Sequence, residues 1–353
     1  MSNDNDMSRR KFLTASAGAT VGAAAALGAP AVIASRNSKV KWRMQTHWPR
    51  GTWYYDDVFQ KFAERVTEAT DGELEIEPHA PGSVVSTGDT LRAVARGTLD
   101  SAFTWPSYWI GDIPVAGHLN GNLATFGNHE EMHLFFYHMG ALDIIREAYA
   151  ERGVYQLGPS STAGIAIYAN KAIRTPEDFR GFNIRSTGTA ARVFEKMGAA
   201  PVAIDGGELY SALETGVVDG VHWGGVAAGW GMNLQEVNDY IMQPDLVAHT
   251  NGEAIINMDR WNELGSDHKQ ALDTALRATS IDSSSHFRYH DFQRMQDFVN
   301  DYDGEIIQME DSVIEQMREH SMAVVDEVSE QDPEYSGKVG DLLHEFMELT
   351  GKL

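Results

Sequence analysis

From Lys41 to His47 polar and apolar residues alternate, which predicts a strand, and Pro49-Arg50-Gly51 supplies the turn that ends it. Val58, Phe62 and Val66 then recur at four-residue spacing, so residues 53–69 are expected to form an amphipathic helix stopped by Asp71-Gly72. Leu74 to Glu77 reads as a short strand. Leu91, Val94 and Ala95 mark a second helix closed by Gly97, and Leu99 to Thr104 returns as a strand. Strands alternating with helices in this order imply parallel pairing and an α/β lobe.

The same grammar recurs downstream. Thr175-Pro176-Glu177-Asp178 has an N-cap Thr, Pro at the first helical position and acids in the first turn. Gly181 ends that short helix, and residues 182–185 are expected as a strand, 189–197 as a helix. Leu209 and Leu213 begin a helix closed by Gly216, and 217–221 is the next expected strand. Gly97-Thr98-Leu99-Asp100 and Gly216-Val217-Val218-Asp219 occupy equivalent places, each handing a helix over to a strand, which predicts two similar lobes. Beyond Trp261 the pattern becomes helical. Residues 267–300 contain few breakers and read as one helix, 305–307 as a strand, and 310–329 and 335–350 as two further helices. This tail is expected to be too polar to be a core. It is expected to wrap both lobes or to meet another subunit.

A chain of 353 residues with 42% hydrophobic positions can fill two lobes. Its net charge of −23 argues against nucleic acid or anionic lipid as a partner. The absence of cysteine removes disulfides, thiolate metal sites and cysteine nucleophiles. Residues 1–34 look like an address. Arg9-Arg10-Lys11 precedes an Ala/Gly-rich apolar run, and Val32-Ile33-Ala34 offers small residues for cleavage, as in a twin-arginine signal peptide.

Ligands of α/β sheets bind beyond the carboxyl ends of the strands. Strand 99–104 leads there into Trp105-Pro106-Ser107-Tyr108-Trp109, strand 182–185 ends at Arg185, and strand 217–221 ends at His222-Trp223; the first strand adds His47 and Trp48. Arg185 is the principal candidate, because a guanidinium fork matches a carboxylate; the alternative is a surface Arg paired to one of many acids. Trp48, Trp105, Tyr108 and Trp223 could wall a pocket with apolar faces and polar tips. His47 and His222 could accept a proton or bind a metal, with His249 a weaker companion to His222. Their spacing fits no local metal motif. His286, His290 and Asp291 share the i, i+4 spacing of a zinc site but read better as a solvated helix face. No phosphate loop, dinucleotide motif or nucleophile elbow is present.

Residues 175–185, Thr-Pro-Glu-Asp-Phe-Arg-Gly-Phe-Asn-Ile-Arg, and 206–220, Gly-Gly-Glu-Leu-Tyr-Ser-Ala-Leu-Glu-Thr-Gly-Val-Val-Asp-Gly, resemble the periplasmic substrate-binding subunits of tripartite ATP-independent periplasmic (TRAP) transporters, the DctP type. The resemblance runs from about Lys41 to Leu264. The stretches around Lys41-Trp42-Arg43-Met44 and Tyr108-Trp109-Ile110-Gly111 look most like the branch that binds 2-oxo and 2-hydroxy monocarboxylates. It implies an α/β, two-lobed periplasmic binding protein (type II-like) with a long helical C-terminal segment. Lobe 1 would span 35–160, lobe 2 would span 161–249, and 250–353 would return and bridge them. The resemblance further implies that Arg185 holds the ligand carboxylate, that two membrane subunits take the ligand onward, and that a homodimer forms through the C-terminal helices. That branch carries a Glu where this chain has His222, a second metal-binding Glu near Ala248 or His249, and a Gln near Gly164. These departures put a bridging sodium or calcium in doubt, and no other cofactor is expected. A neutral His222 could bond the ligand directly, and a protonated one could replace the cation's charge.

The expectation is therefore a periplasmic, non-enzymatic binding protein for a small carboxylate. Two alternatives stand beside it. One is a binding protein for a zwitterion or polyol such as a compatible solute, held by cation–π contact. The other is an exported metal-dependent hydrolase.

Overall fold

A computed structural model describes residues 39–353 apart from 121, 163, 205 and 248–250, so the twin-arginine segment, Ala248 and His249 lie outside the described residues. The expected alternation opens the fold as β1 (Val40–Thr46), α1 (Lys61–Ala69), β2 (Leu74–His79), α2 (Thr90–Ala95) and β3 (Ser101–Thr104), and β1 pairs in parallel with both β2 and β3. There follow α3 (His129–His133), α4 (Ala141–Ala150), β4 (Val154–Ser161), β5 (Ile165–Ala169), β6 (Asn183–Arg185), α5 (Gly188–Lys196), β7 (Ala200–Val202), α6 (Leu209–Glu214), β8 (Gly220–His222) and α7 (Val226–Trp230). The chain ends with β9 (Tyr240–Val247), β10 (Asn251–Asn257), α8 (Met258–Glu263), α9 (Ser266–Asp301), β11 (Glu305–Gln308), α10 (Asp311–Gln331) and α11 (Ser336–Leu349).

These strands form two sheets. The first has the order β2-β1-β3-β10-β4 and the second β11-β9-β5-β8-β6-β7. The chain passes from the first sheet to the second between Ser161 and Ile165, and back between Val247 and Asn251. The two matching tetrapeptides prove geometrically equivalent. Gly97 and Gly216 have φ of +73° and +72°. Asp100 accepts the N–H of Arg43 on the neighbouring parallel strand at 2.8 Å, and Asp219 accepts that of Asn183 at 2.9 Å. Each acid thus locks a helix exit to the strand beside it. The expected strand 217–221 is shifted to 220–222, because the left-handed Gly216 carries Val217 and Val218 around the turn.

Two further differences bear on the site. The helix expected over 53–69 begins as a π-helical turn, Tyr54–Gln60, before becoming α1. The tail contributes core after all. Val339, Leu343, Phe346 and Met347 of α11 join the apolar cluster beside the first sheet, and Val313, Met317 and Val324 of α10 join one beside the second. Helix α9 packs on α1 and β4 at one end and on α7 and β11 at the other. Where it crosses β4 its buried face is Thr279, Ser280, Ser283 and Ser284, and the last Ser161 backbone groups of β4 are satisfied there: Ser161 N–H donates to Ser280 Oγ at 2.7 Å and Ser283 Oγ donates to the Ser161 carbonyl at 2.7 Å.

Candidate functional site

Arg185 closes β6, whose parallel register with β8 sets it opposite Val221, next to His222. The side chain is buried at 8% exposure, which rejects a surface Arg. Nε donates to the Ile204 carbonyl at 3.0 Å and Nη1 to the His222 carbonyl at 3.2 Å, and the guanidinium lies 4.8 Å from the Trp223 ring centroid. Trp223 can lie there because residue 206 is glycine: a Cβ on Gly206 would approach the indole to 3.0 Å. Burial holds the His222 imidazole down at about 3, with the nearby Arg185 charge adding to the effect. These surroundings favour the neutral imidazole. Its Nδ1 stands 3.5 Å from Ser186 Oγ, and its Nε2 is buried without a partner among the described residues.

The first sheet contributes a second set. The His47 ring lies 4.7 Å from Trp48, 6.2 Å from Trp105 and 5.5 Å from Tyr108. Burial lowers His47 to about 3, and its Nδ1 is also buried and unpartnered among the described residues. Trp48 is buried and Trp105 half-buried, whereas Tyr108 is exposed at 49% and forms the rim rather than the wall. Arg185, His222 and Trp223 thus form one cluster, and His47, Trp48, Trp105 and Tyr108 another.

The residue that links the clusters was not singled out from the sequence. Tyr54, first of the π-helical turn, stacks on Trp48 (5.3 Å, 22° between planes) and on Phe287 of α9 (4.7 Å, 29°). Its phenol oxygen lies against the loop that follows Trp223, where a Cβ on Gly224 would stand 3.5 Å from it, and burial pushes the phenol well above its ordinary range. Polar groups at the strand ends were missed too. The Thr104, Ser160 and Ser161 hydroxyls are buried without partners among the described residues. The run Ser160-Ser161-Thr162, which ends β4 and leads toward β5, was the available signal.

The α9 cluster needs correction. Asp291 is not solvated: it is buried at 1% exposure, accepts the Ala227 N–H at 2.7 Å, and is pushed by burial up to about 7. His286 and His290 pack against Trp53 instead, at 5.6 and 4.6 Å. Among the described residues no group of three or more His, Asp or Glu side chains could hold a metal ion. At Gly164 there is no room for a side chain, since a Cβ would meet the Asp245 carboxylate at 2.5 Å and the Val247 carbonyl at 2.9 Å. Asp245 in turn is held by Gln243 at 2.7 Å and Arg288 at 3.1 Å.

The family model for DctP, bacterial extracellular solute-binding protein family 7, matches residues 44–332. The monocarboxylate 2-oxoacid-binding periplasmic protein of Nostoc sp. is 28% identical over 239 residues, covering 67% of this chain and 65% of the relative. An ectoine/5-hydroxyectoine-binding periplasmic protein of Ruegeria pomeroyi is 22% identical over 224 residues, covering 62% and 64%. The chain thus spans slightly less than two thirds of the length of these relatives. Among solved structures, a TRAP periplasmic solute-binding protein from Colwellia psychrerythraea, with bound calcium and pyruvate, superposes with a TM-score of 0.79 at 22% identity, over 88% of this chain and 95% of that one.

Proposed function

Since the chain belongs to the DctP family of bacterial extracellular solute-binding proteins, whose members are not enzymes, we propose that it captures a small 2-oxo or 2-hydroxy carboxylate between two lobes for uptake by TRAP membrane subunits. The observation that carries this reading is the Arg185 cluster: a sequestered guanidinium over an indole, beside a neutral imidazole whose Nε2 has no partner among the described residues. The guanidinium supplies the countercharge for one carboxylate. A neutral imidazole nitrogen suits a hydroxyl or keto group on the adjacent carbon. The aromatic set on the first sheet excludes water when the sheets close on the ligand, and closure is driven only by the ligand's preference for the closed form.

In this reading residues 35–160 and 161–249 are the two lobes, 250–353 returns between them, and residues 1–34 direct export by the twin-arginine route. The exposed Ile281, Tyr289 and Phe292 of α9 leave an apolar face for a second copy, which light scattering on the purified protein tests. A compatible solute is the second reading, supported by the Ruegeria relative and by four tryptophan and tyrosine rings at the strand ends. Calorimetric titration against pyruvate, lactate and ectoine decides between them. Heat with either acid and none with ectoine supports the carboxylate; the reverse result replaces it.

A further inference from the structure

We infer that Asp291 of α9 is a positioning residue for the ligand site: it caps α7 from outside and so holds the preceding loop, which sets Trp223 over Arg185. This deepens the proposed carboxylate reading and rests on it. Gly225 stands at the N-cap position of α7 (φ −73°, ψ 171°) and has no side chain to accept the first N–H groups of the helix. Asp291 Oδ1, 64 residues away from Ala227 in the chain, accepts the Ala227 N–H at 2.7 Å instead. Its Oδ2 is buried without a partner among the described residues, and Arg288 on the same helix is bound to Asp245 at 3.1 Å. Burying a carboxyl with so little compensation costs stability, and the peptide it holds is what it gives in return.

The loop is strung between two supports. On one side β5 of its own sheet holds the backbone. The Trp223 N–H donates to the Ala166 carbonyl at 3.2 Å, the Ala166 N–H to the Gly224 carbonyl at 2.7 Å, and the Tyr168 hydroxyl to the Gly225 carbonyl at 2.7 Å. On the other side stands α9, whose course is fixed by elements of the first sheet. Ser280 and Ser283 hold both backbone groups of Ser161 at the end of β4, and Arg65 of α1 donates to Thr279 Oγ1 at 2.9 Å. Phe287, one turn before Asp291 on the same face of α9, stacks on Tyr54. Asp291 therefore makes the seat of α7, and with it the Trp223 indole, depend on where α9 lies. The indole has little room to absorb a shift. Its ring centroid is 4.8 Å from the Arg185 guanidinium, whose Nη1 is tied to the His222 carbonyl, and its far edge lies so close over Gly206 that a Cβ there would stand 3.0 Å away.

Asp291→Ala removes the acceptor, whereas Asp291→Asn keeps an oxygen at Oδ1. Each is made with Trp223 intact and with Trp223→Phe, and pyruvate affinity is measured by calorimetry below the melting transition of every variant. Subtracting the emission of the matching Trp223→Phe protein isolates the fluorescence of Trp223 among the eight tryptophans, with no ligand needed. For Asp291→Ala the expected result is an affinity lower by about 3- to 30-fold, a shifted Trp223 emission, and a loss of affinity that shrinks to under about 2-fold in the Trp223→Phe background. Asp291→Asn should recover most of both effects. An unchanged Trp223 emission in Asp291→Ala overturns the proposal, as does an affinity within about 2-fold of wild type. Equal losses in the two backgrounds overturn it too, because they place the effect in the stability of the fold and not in Trp223. Asp291→Thr, close in size but one atom shorter in reach, takes the place of the alanine variant if that one does not fold. If the wild-type protein binds no pyruvate, the carboxylate assignment fails, and the Trp223 emission alone decides the role of Asp291.

Discussion

Arg185 donates Nε and Nη1 to two backbone carbonyls and lies over an indole, so the guanidinium is held in place before any ligand arrives. A lysine keeps the charge but loses the fork and the stack. Arg185→Lys is therefore expected to weaken carboxylate binding by at least about 10-fold by calorimetry, since hydrogen bonds to charged groups contribute roughly 1.5–3 kcal/mol. Affinity within about twofold of wild type would remove Arg185 from the site. Another residue sets a pH dependence. Glu253 is fully buried; burial pushes its carboxyl up to about 8, against hydrogen bonds from Gln156 and Tyr149, both at 3.0 Å, that favour ionisation. The folded state therefore holds a proton that the unfolded chain releases near pH 4.5. Stability from this group is full below that value, falls as pH rises through the window up to about 8, and is level beyond it. Glu253→Gln should flatten the decline of melting temperature between those limits, with Gln156 turning its Oε1, which has no partner among the described residues, toward the new amide. An identical decline in the variant would place the proton elsewhere. Arg185 and the aromatics were legible in the sequence because strand ends announce themselves through a flanking Gly or Pro and a change of pattern. Tyr54 was not, because its stacking partner Phe287 is remote in the chain and a π-turn has no signature in a four-residue spacing.

At the scale of elements, α7 depends on a glycine. A Cβ on Gly229 would overlap the Tyr168 hydroxyl and ring, which lie beneath the helix and hold the Gly225 carbonyl. Gly229→Ala must lift α7 from β5 or tilt Tyr168, at a cost of roughly 1–3 kcal/mol for overpacking. Because α7 follows directly on the Trp223–Gly225 loop, a lower melting temperature and weaker ligand binding should appear together. A variant as stable as wild type that binds normally would show that α7 is free to shift. The alternation of β1 to β3 was readable from period, and the long α9 from its lack of breakers. The strands β4, β5, β9 and β10 were not, since short apolar runs buried on both faces do not alternate and match a helix as well as a strand. The buried face of α9 over β4 was hidden for a related reason: serines and a threonine satisfying backbone groups carry no hydrophobic period.

At the scale of the molecule, a buried cationic side chain sits inside a chain of net charge −23. The Arg185 field is short-ranged, whereas the acidic surface acts on a ligand while it is still in solution. At low salt, with a screening length of roughly 30 Å at about 0.01 M, an approaching monoanion is repelled by the whole protein; at about 1 M that length shrinks to roughly 3 Å and the repulsion is lost. The association rate of a carboxylate should therefore rise with ionic strength, measured by stopped-flow tryptophan fluorescence, while its dissociation rate, set inside the closed site, changes little. A zwitterion carries no net charge for the surface to act on, so its association rate should stay flat. The slope of association against salt thus reads the ligand's charge independently of the site residues. A rate that falls with salt would mean that a local positive field around Arg185 governs capture, and that the acidic surface is turned away from the entrance.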